Sequence, residues 1–338
     1  MTAAIAPRQT SAATWRADDW VDPATWSWRL SDAAVDEMVA TTAHFADVDP
    51  QEVGDLGARD VRFESVANQL RALHHTLVDG RGFELIRGLP VRDLSEGQAA
   101  AIFVAIGAHL GSARSQNADG HLLGHVRNVG LDVADPTVRI YQTDRRQTFH
   151  TDSTDAVGLL CLEEAAEGGE SLLVSAPAIY NEMLDRDPAL AALLFEPVAT
   201  DRRGEVPPGA DPWFTIPVLN WFDDHLTVLY QRQYIDSAER FPEAPRLSER
   251  MVEALDLFDE IANDPSMCLQ MRLEPGDMQF VHNHSLLHDR TGFVDKPDAP
   301  RHLLRLWLSL PGDRRLPDVF ATRYGSVTVG DRGGIVVG

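Results

Sequence analysis

The feature that most constrains this chain is a histidine and an aspartate two positions apart, His150 and Asp152, in the run Phe149-His150-Thr151-Asp152. Residues i and i+2 of a strand face the same side. The spacing therefore predicts a strand over 148–152 that aims an imidazole and a carboxylate into one cavity. One further imidazole would complete the two-histidine, one-carboxylate face that holds non-haem Fe(II) and keeps coordination positions open. His288, near the other end of the chain, can supply it, and the fold must then bring residues 150 and 288 together. His284 in the same segment is the rival third ligand, with His282 behind it. The other histidines, among them His125 and His302, lack ligand-like spacing and read as structural or exposed.

Periodicity says which fold can do this. Helices come first. Ser31 is placed to cap one with Val35, Met38, Val39 and Phe45 on its apolar face. A second over 63–78 aligns Val66, Leu70, Leu73 and Leu77. A third runs from the Ser95 cap to about Leu110, with Gln98 at the capping-box position and Gly107 as an interruption. From about residue 120 the texture becomes short strands and turns. Strands are expected over 82–87, 138–142, 148–152, 157–162, 171–174, 218–220, 225–231, 268–273, 278–282 and 301–309. Helices are inserted after Ser175, Asp187 and Ser248. The Gly- and Pro-rich stretch 200–213 reads as a mobile loop that would serve as a lid. Helices followed by strands predict an α+β protein, an antiparallel core with flanking helices. A jelly roll, or double-stranded β-helix, would join residues 150 and 288 at one open end. The expected organisation is an N-terminal extension over 1–60, rich in Trp and partly helical, a jelly-roll domain with helical insertions over 61–325, and a tail over 326–338. Trp15, Trp20, Trp26 and Trp28 suggest that the extension packs on a body or a partner.

Charge narrows the partners. Thirty Lys and Arg against 52 Asp and Glu leave a formal charge of −22. Such a surface repels nucleic acid and anionic membranes, and no apolar run approaches the ~20 residues of a membrane span. The N-terminus does not read as a secretory signal. Cys161 and Cys268 lie in apolar stretches outside any metal-like spacing and read as buried thiols, which fits a reducing cytoplasm. A small-molecule substrate is the expected partner, and a homo-oligomer is left open.

In so acidic a chain, clustered arginines are informative. The expected strand 301–309 puts Arg301, Leu303, Arg305 and Trp307 on one face and His302, Leu304, Leu306 and Leu308 on the other. The second face is core. The first aims two guanidinium groups at the cavity, where a dicarboxylate would satisfy both their charge and their planar hydrogen-bonding geometry.

An iron face beside an anion clamp resembles the taurine/2,4-D dioxygenase family, which includes clavaminate synthase-like enzymes. The pieces that carry the resemblance run in order over about residues 80–310. They are Gly82-Phe83-Glu84-Leu85-Ile86-Arg87-Gly88-Leu89-Pro90, Phe149-His150-Thr151-Asp152, Gly168-Gly169-Glu170-Ser171, Gly276-Asp277 through Asn283-His284 to His288-Asp289-Arg290, and Arg301 to Leu308. The resemblance implies a jelly roll that uses Fe(II), 2-oxoglutarate and O2, with His150, Asp152 and His288 as metal ligands. It implies that Arg301 pairs with the distal carboxylate of 2-oxoglutarate, that Ser171 hydrogen-bonds the same cosubstrate, and that Arg305 lies near the proximal carboxylate or the substrate. The implied reaction oxidises, most often hydroxylates, a C–H bond and releases succinate and CO2. The presence of Asp152 disfavours a halogenating variant. Two positions depart from the family: Asp289 stands where Gly is usual, and Ser285 where an Arg is common. Arg146, Gln147, Asn220, Trp221 and Tyr230 are candidates for the substrate pocket. Two other readings remain at this stage, a Zn(II)-dependent hydrolase or isomerase on a similar barrel and a non-catalytic small-ligand-binding barrel.

Overall fold

The computed structural model describes residues 6–132 and 138–335. Residues 1–5 of the N-terminal extension and 336–338 of the C-terminal tail lie outside them. Two β-sheets pack face to face through Phe83, Val281 and Leu303 of one and Leu173, Leu269 and Leu286 of the other. The larger sheet runs Ser27–Arg29, Phe83–Arg87, Met278–His282, Ala156–Glu163, His302–Ser309, Ser112–Ala113, with Leu123–Val126 also on His302–Ser309. Its first pair is parallel and the others antiparallel. The smaller sheet runs Cys268–Met271, Ser171–Ser175, Leu286–Arg290, Gln147–His150, all antiparallel. This is the jelly-roll core of an α+β protein.

The alternation read from 301–309 is realised. Leu304, Leu306 and Leu308 join the core beneath helix Glu96–Leu110, while Arg305 and Trp307 face the space between the sheets. Full burial of each such Leu contributes roughly 1.5–3 kcal/mol. Gly107 has its reason here: a Cβ at that position would lie 2.7 Å from Leu306 Cδ1. Helices Ala176–Arg186, Pro188–Leu193 and Glu249–Ala262 cover the smaller sheet. Trp15 and Trp26 are buried against Phe83, so the Trp-rich segment packs on the body of the chain.

Local signals fail where tertiary partners decide. Ser95 caps its helix through the amide of Gln98 at 3.2 Å, but the Gln98 side chain donates to the Val39 carbonyl at 3.0 Å instead of closing a capping box. The stretch expected as a strand over 138–142 instead forms a short 3-10 turn, Ile140–Gln142, which the Thr143 hydroxyl stabilises by donating to the Ile140 carbonyl at 2.9 Å. The stretch 200–213 connects two paired strands, Pro197–Asp201 and Trp213–Pro217, and buries Arg202 and Glu205. The strand expected over 148–152 ends at His150, and the last long strand begins at His302 rather than Arg301.

Candidate active site

His150 and His288 are direct cross-strand partners in the smaller sheet. Their side chains leave the same face, with ring centroids 4.1 Å apart. Asp152 arrives by another route, on coil beyond the strand end. The Thr151 amide donates to the Tyr230 carbonyl at 2.8 Å, and the Asp152 amide to Asn283 Oδ1 at 3.3 Å. This brings the Asp152 carboxylate to 4.0 Å from His150 Nε2 and 3.7 Å from His288 Nε2.

The three residues fit a bound cation. His150 donates Nδ1–H to the Thr148 carbonyl at 2.9 Å, leaving the Nε2 lone pair toward the cluster. Burial, then the neighbouring His288, pushes the His150 pKa down to about 3, so the ring is a neutral ligand at working pH. Burial opposes ionisation of Asp152, but the Arg305 guanidinium and His288 outweigh it and hold the carboxyl well below the usual carboxylate range. Trp307 Nε1 donates to Asp152 Oδ2 at 2.8 Å, and Arg305 approaches the same oxygen at 3.4 Å. The Arg305 guanidinium also lies over the Tyr141 and Trp307 rings and donates to Gln116 Oε1 at 2.7 Å.

Behind the cluster is a narrow cavity lined by His150, His288, Ser171, Arg290, Arg301 and Arg305, among others. Arg301 is 5% exposed, and its Nη1 has no hydrogen-bond partner among the described residues. Gly169, at φ +74°, lets the Arg301 side chain cross close by, since a Cβ there would lie 3.0 Å from its Nε. Arg290 was not a site residue in the sequence reading. Its guanidinium donates to the carbonyls of Thr143 and Arg145, and among the described residues no carboxylate is bonded to it. Burial, then the charge of Arg301, pushes the Arg290 pKa down to about 9; burial pushes Arg301 down to about 10. Two guanidinium groups buried in one cavity would be stabilised by an anion between them. Ser171 lines the same cavity, its hydroxyl donating to Gln279 Oε1 at 2.9 Å. Arg290 lay legible in the His288-Asp289-Arg290 run, Trp307 in the alternation over 301–309 and Asn283 in the Asn283-His284 run; Gln116 carried no local signal.

Both departures from the family pattern are accommodated by distant arginines. Asp289 is paired with Arg146 at 2.5 Å, and Ser285 accepts from Arg314 Nη2 at 2.7 Å. Arg146 is thereby occupied away from the cavity, while Gln147 lines it and donates to His150 Nε2 at 2.8 Å. On the far side of Asp152 lies a recess lined by Arg139, Tyr230, Tyr234, Trp307 and Arg323. Arg139 and Arg323 share Glu205. Asn220 and Trp221 sit in the hairpin Leu219–Phe222 with His225–Val228 and line neither space.

The rival His284 forms a separate buried group with Asp155 and Asp313. His125 and His302, which lacked ligand-like spacing in sequence, come together with Glu96. Their ring nitrogens, 2.8 Å apart, are engaged with each other, and the charge of Arg127 opposes a cation there.

A jelly roll with a two-histidine, one-carboxylate face and buried guanidinium groups behind it defines a non-haem iron oxygenase that takes an anionic cosubstrate. The chain belongs to the taurine catabolism dioxygenase TauD, TfdA family, which it matches over residues 46–307. It is an Fe(II)- and 2-oxoglutarate-dependent dioxygenase that uses O2 and acts on a small substrate, which removes the hydrolase and the non-catalytic readings. FR-33289 synthase of Streptomyces rubellomurinus (strain ATCC 31215) is 32% identical over 325 residues, 94% of this chain and 95% of that protein. The taurine hydroxylase-like protein SAT17 of Stachybotrys chartarum (strain CBS 109288 / IBT 7711) is 30% identical over 82% of this chain and 73% of its own. The fold is shared with asparagine oxygenase, solved with Fe(II), 2S,3S-3-hydroxyasparagine and succinate, at TM-score 0.64 and 19% identity over 84% of this chain and 93% of that one. It is also shared with the non-heme iron oxygenase OrfP, solved with Fe and alpha-ketoglutaric acid, at TM-score 0.59 and 18% identity over 83% and 93%.

Proposed function

We propose that His150, Asp152 and His288 hold Fe(II) on one face, and that Arg301, assisted by Arg290 and Ser171, receives the distal carboxylate of 2-oxoglutarate. Bound iron supplies the oxidative decarboxylation of 2-oxoglutarate to succinate and CO2, one atom of O2 entering succinate and the other the substrate C–H bond, which is hydroxylated. The chain's own groups set the geometry. Arg301 orients the cosubstrate, the apolar walls at Val157, Leu159 and Leu303 exclude water, and Trp307 fixes Asp152. The substrate enters from the recess on the far side of Asp152. There Arg139 and Arg323 stand against the carboxylates of Asp152 and Asp201, with Glu205 paired to both arginines, so the lining carries no excess of positive charge. Two free cysteines, Cys161 and Cys268, and a ferrous centre suit a reducing compartment, and we place the enzyme in the cytoplasm.

The observation that carries this reading is Arg301, buried in the cavity that also holds His150 and His288 with an Nη1 that has no partner among the described residues. Truncating one partner of a buried charge pair costs about 2–5 kcal/mol. Arg301→Gln should accordingly raise the 2-oxoglutarate KM by at least about tenfold, with Fe(II) affinity retained. Wild-type 2-oxoglutarate affinity in that variant would refute the assignment.

A further inference from the structure

Asp152 has no strand to hold it, yet an iron ligand must be placed to within a few tenths of an ångström. Residues 152–155 are held by Asn283 and by the strand end over 305–310, and in addition by the C-terminal segment. Arg323 Nε donates to Ser153 Oγ at 2.8 Å, and the Tyr324 hydroxyl reaches the Thr154 carbonyl at 3.4 Å. Further on, the Gly334 amide donates to the Ser153 carbonyl at 2.7 Å. Arg332, 1% exposed, donates from Nε to Asp155 Oδ1 at 2.7 Å and from Nη2 to Asp313 Oδ2 at 3.0 Å. Ile335 is buried against Val157 and Trp307, the same Trp307 whose indole holds Asp152. The approach at Gly333 is tight: at φ +82° a Cβ would lie 2.8 Å from the Ser153 carbonyl oxygen.

We propose that the segment Arg323–Ile335, anchored by Arg332, is a strap that positions Asp152 for the metal. The iron site is then closed by the end of the chain, about 180 residues after the ligand it serves. Arg332 touches neither iron nor substrate and acts through Asp155 and the loop between. The physical reason is charge. Asp155 also accepts from His284, Ser309 and the Leu310 amide. Without the guanidinium, its charge and that of Asp313 would be buried with one cation fewer. The loop would relax toward other donors and carry Asp152 with it.

This rests on the iron assignment, and the test separates the two. Full-length wild type, Arg332→Met, Arg332→Lys and Gly333→Ala are titrated anaerobically with Fe(II) in saturating 2-oxoglutarate, and melting temperatures are recorded with and without metal. Loss of an outer partner of a ligand costs metal affinity about tenfold or more. Fe(II) Kd should rise by that much in Arg332→Met, less in Gly333→Ala, and recover partly in Arg332→Lys. The metal-induced gain in melting temperature should shrink in parallel. A merely structural role would lower the melting temperature equally with and without metal at constant Kd, and that result overturns the strap. If Arg332→Met does not fold, Gly333→Ala carries the same comparison. A wild type that fails to bind Fe(II) overturns the iron assignment and the strap together; normal wild-type binding with unchanged variants overturns the strap alone.

Discussion

Two clusters of histidine and carboxylate lie three residues apart in this chain, and only one of the two lies against the cavity described above. In each of His150–Asp152–His288 and Asp155–His284–Asp313 the donor atoms lie within 4.8 Å of one another. The second cluster carries its cation internally: Arg332 bridges Asp155 and Asp313, and His282 and His284 fill further acceptor sites at 3.1 and 2.8 Å. Its side chains are 0% exposed, and they line neither the cavity nor the recess described above. The first has its imidazoles beside a cavity, and its close donors are neutral, Gln147 at His150 Nε2 and Trp307 at Asp152 Oδ2, with Arg305 farther off at 3.4 Å. Nearness of ligand atoms is shared by both. What differs is whether a guanidinium bridges the carboxylates or neutral donors hold them beside open space, and that separates a candidate metal site from a buried ion-pair lock.

The strongest way to break this contrast is to remove the open carboxylate. Asp152→Ala should reduce substrate-dependent succinate formation to background and weaken Fe(II) binding by roughly a hundredfold or more. If iron were instead captured by Asp155 and His284, the variant would still bind Fe(II) tightly, and an anaerobic titration would show it.

Acid sharpens the contrast from the other side. Burial, against the hydrogen bond and charge of Asp155, leaves the His284 pKa at about 4, below its ordinary value of 6.5. Between those values the unfolded chain binds a proton that the native ring does not, so stability falls as pH drops from about 6.5 to about 4. The loss is on the order of 3 kcal/mol. Urea midpoints of the metal-free protein should fall across that window, and should fall less in His284→Gln. Equal slopes would show that the lock does not hold a neutral histidine. The smallest effect is expected at the indole. Trp307→Phe removes one hydrogen bond to a carboxylate, worth about 1.5–3 kcal/mol, and should weaken Fe(II) binding by about tenfold while 2-oxoglutarate KM changes little.

How much of this was legible varied by element. Helix caps at Ser31, Ser95, Ser175 and Ser248 are where the sequence puts them, because a cap is a contact three residues long. The inward face of 302–309 followed from period-two alternation. His150, Asp152 and His288 were named from residue chemistry and family resemblance, and the structure brings their ligand atoms together, yet the strand argument for Asp152 was too long by two residues. Arg290 was visible in its motif, but its lack of a carboxylate partner was not.

Sequence alone determined the residue chemistry, the strand faces and the helical punctuation, since these depend on side-chain type and on neighbours within a few positions. Only the tertiary structure decided which of three histidine–carboxylate groups lies against the cavity with Arg301, that Arg146 and Arg314 accommodate the two departures from the family pattern, and that Arg332 stands behind Asp155. Each of those turns on which charge lies beside which once residues far apart in the chain are packed together, and short-range pattern carries no record of that.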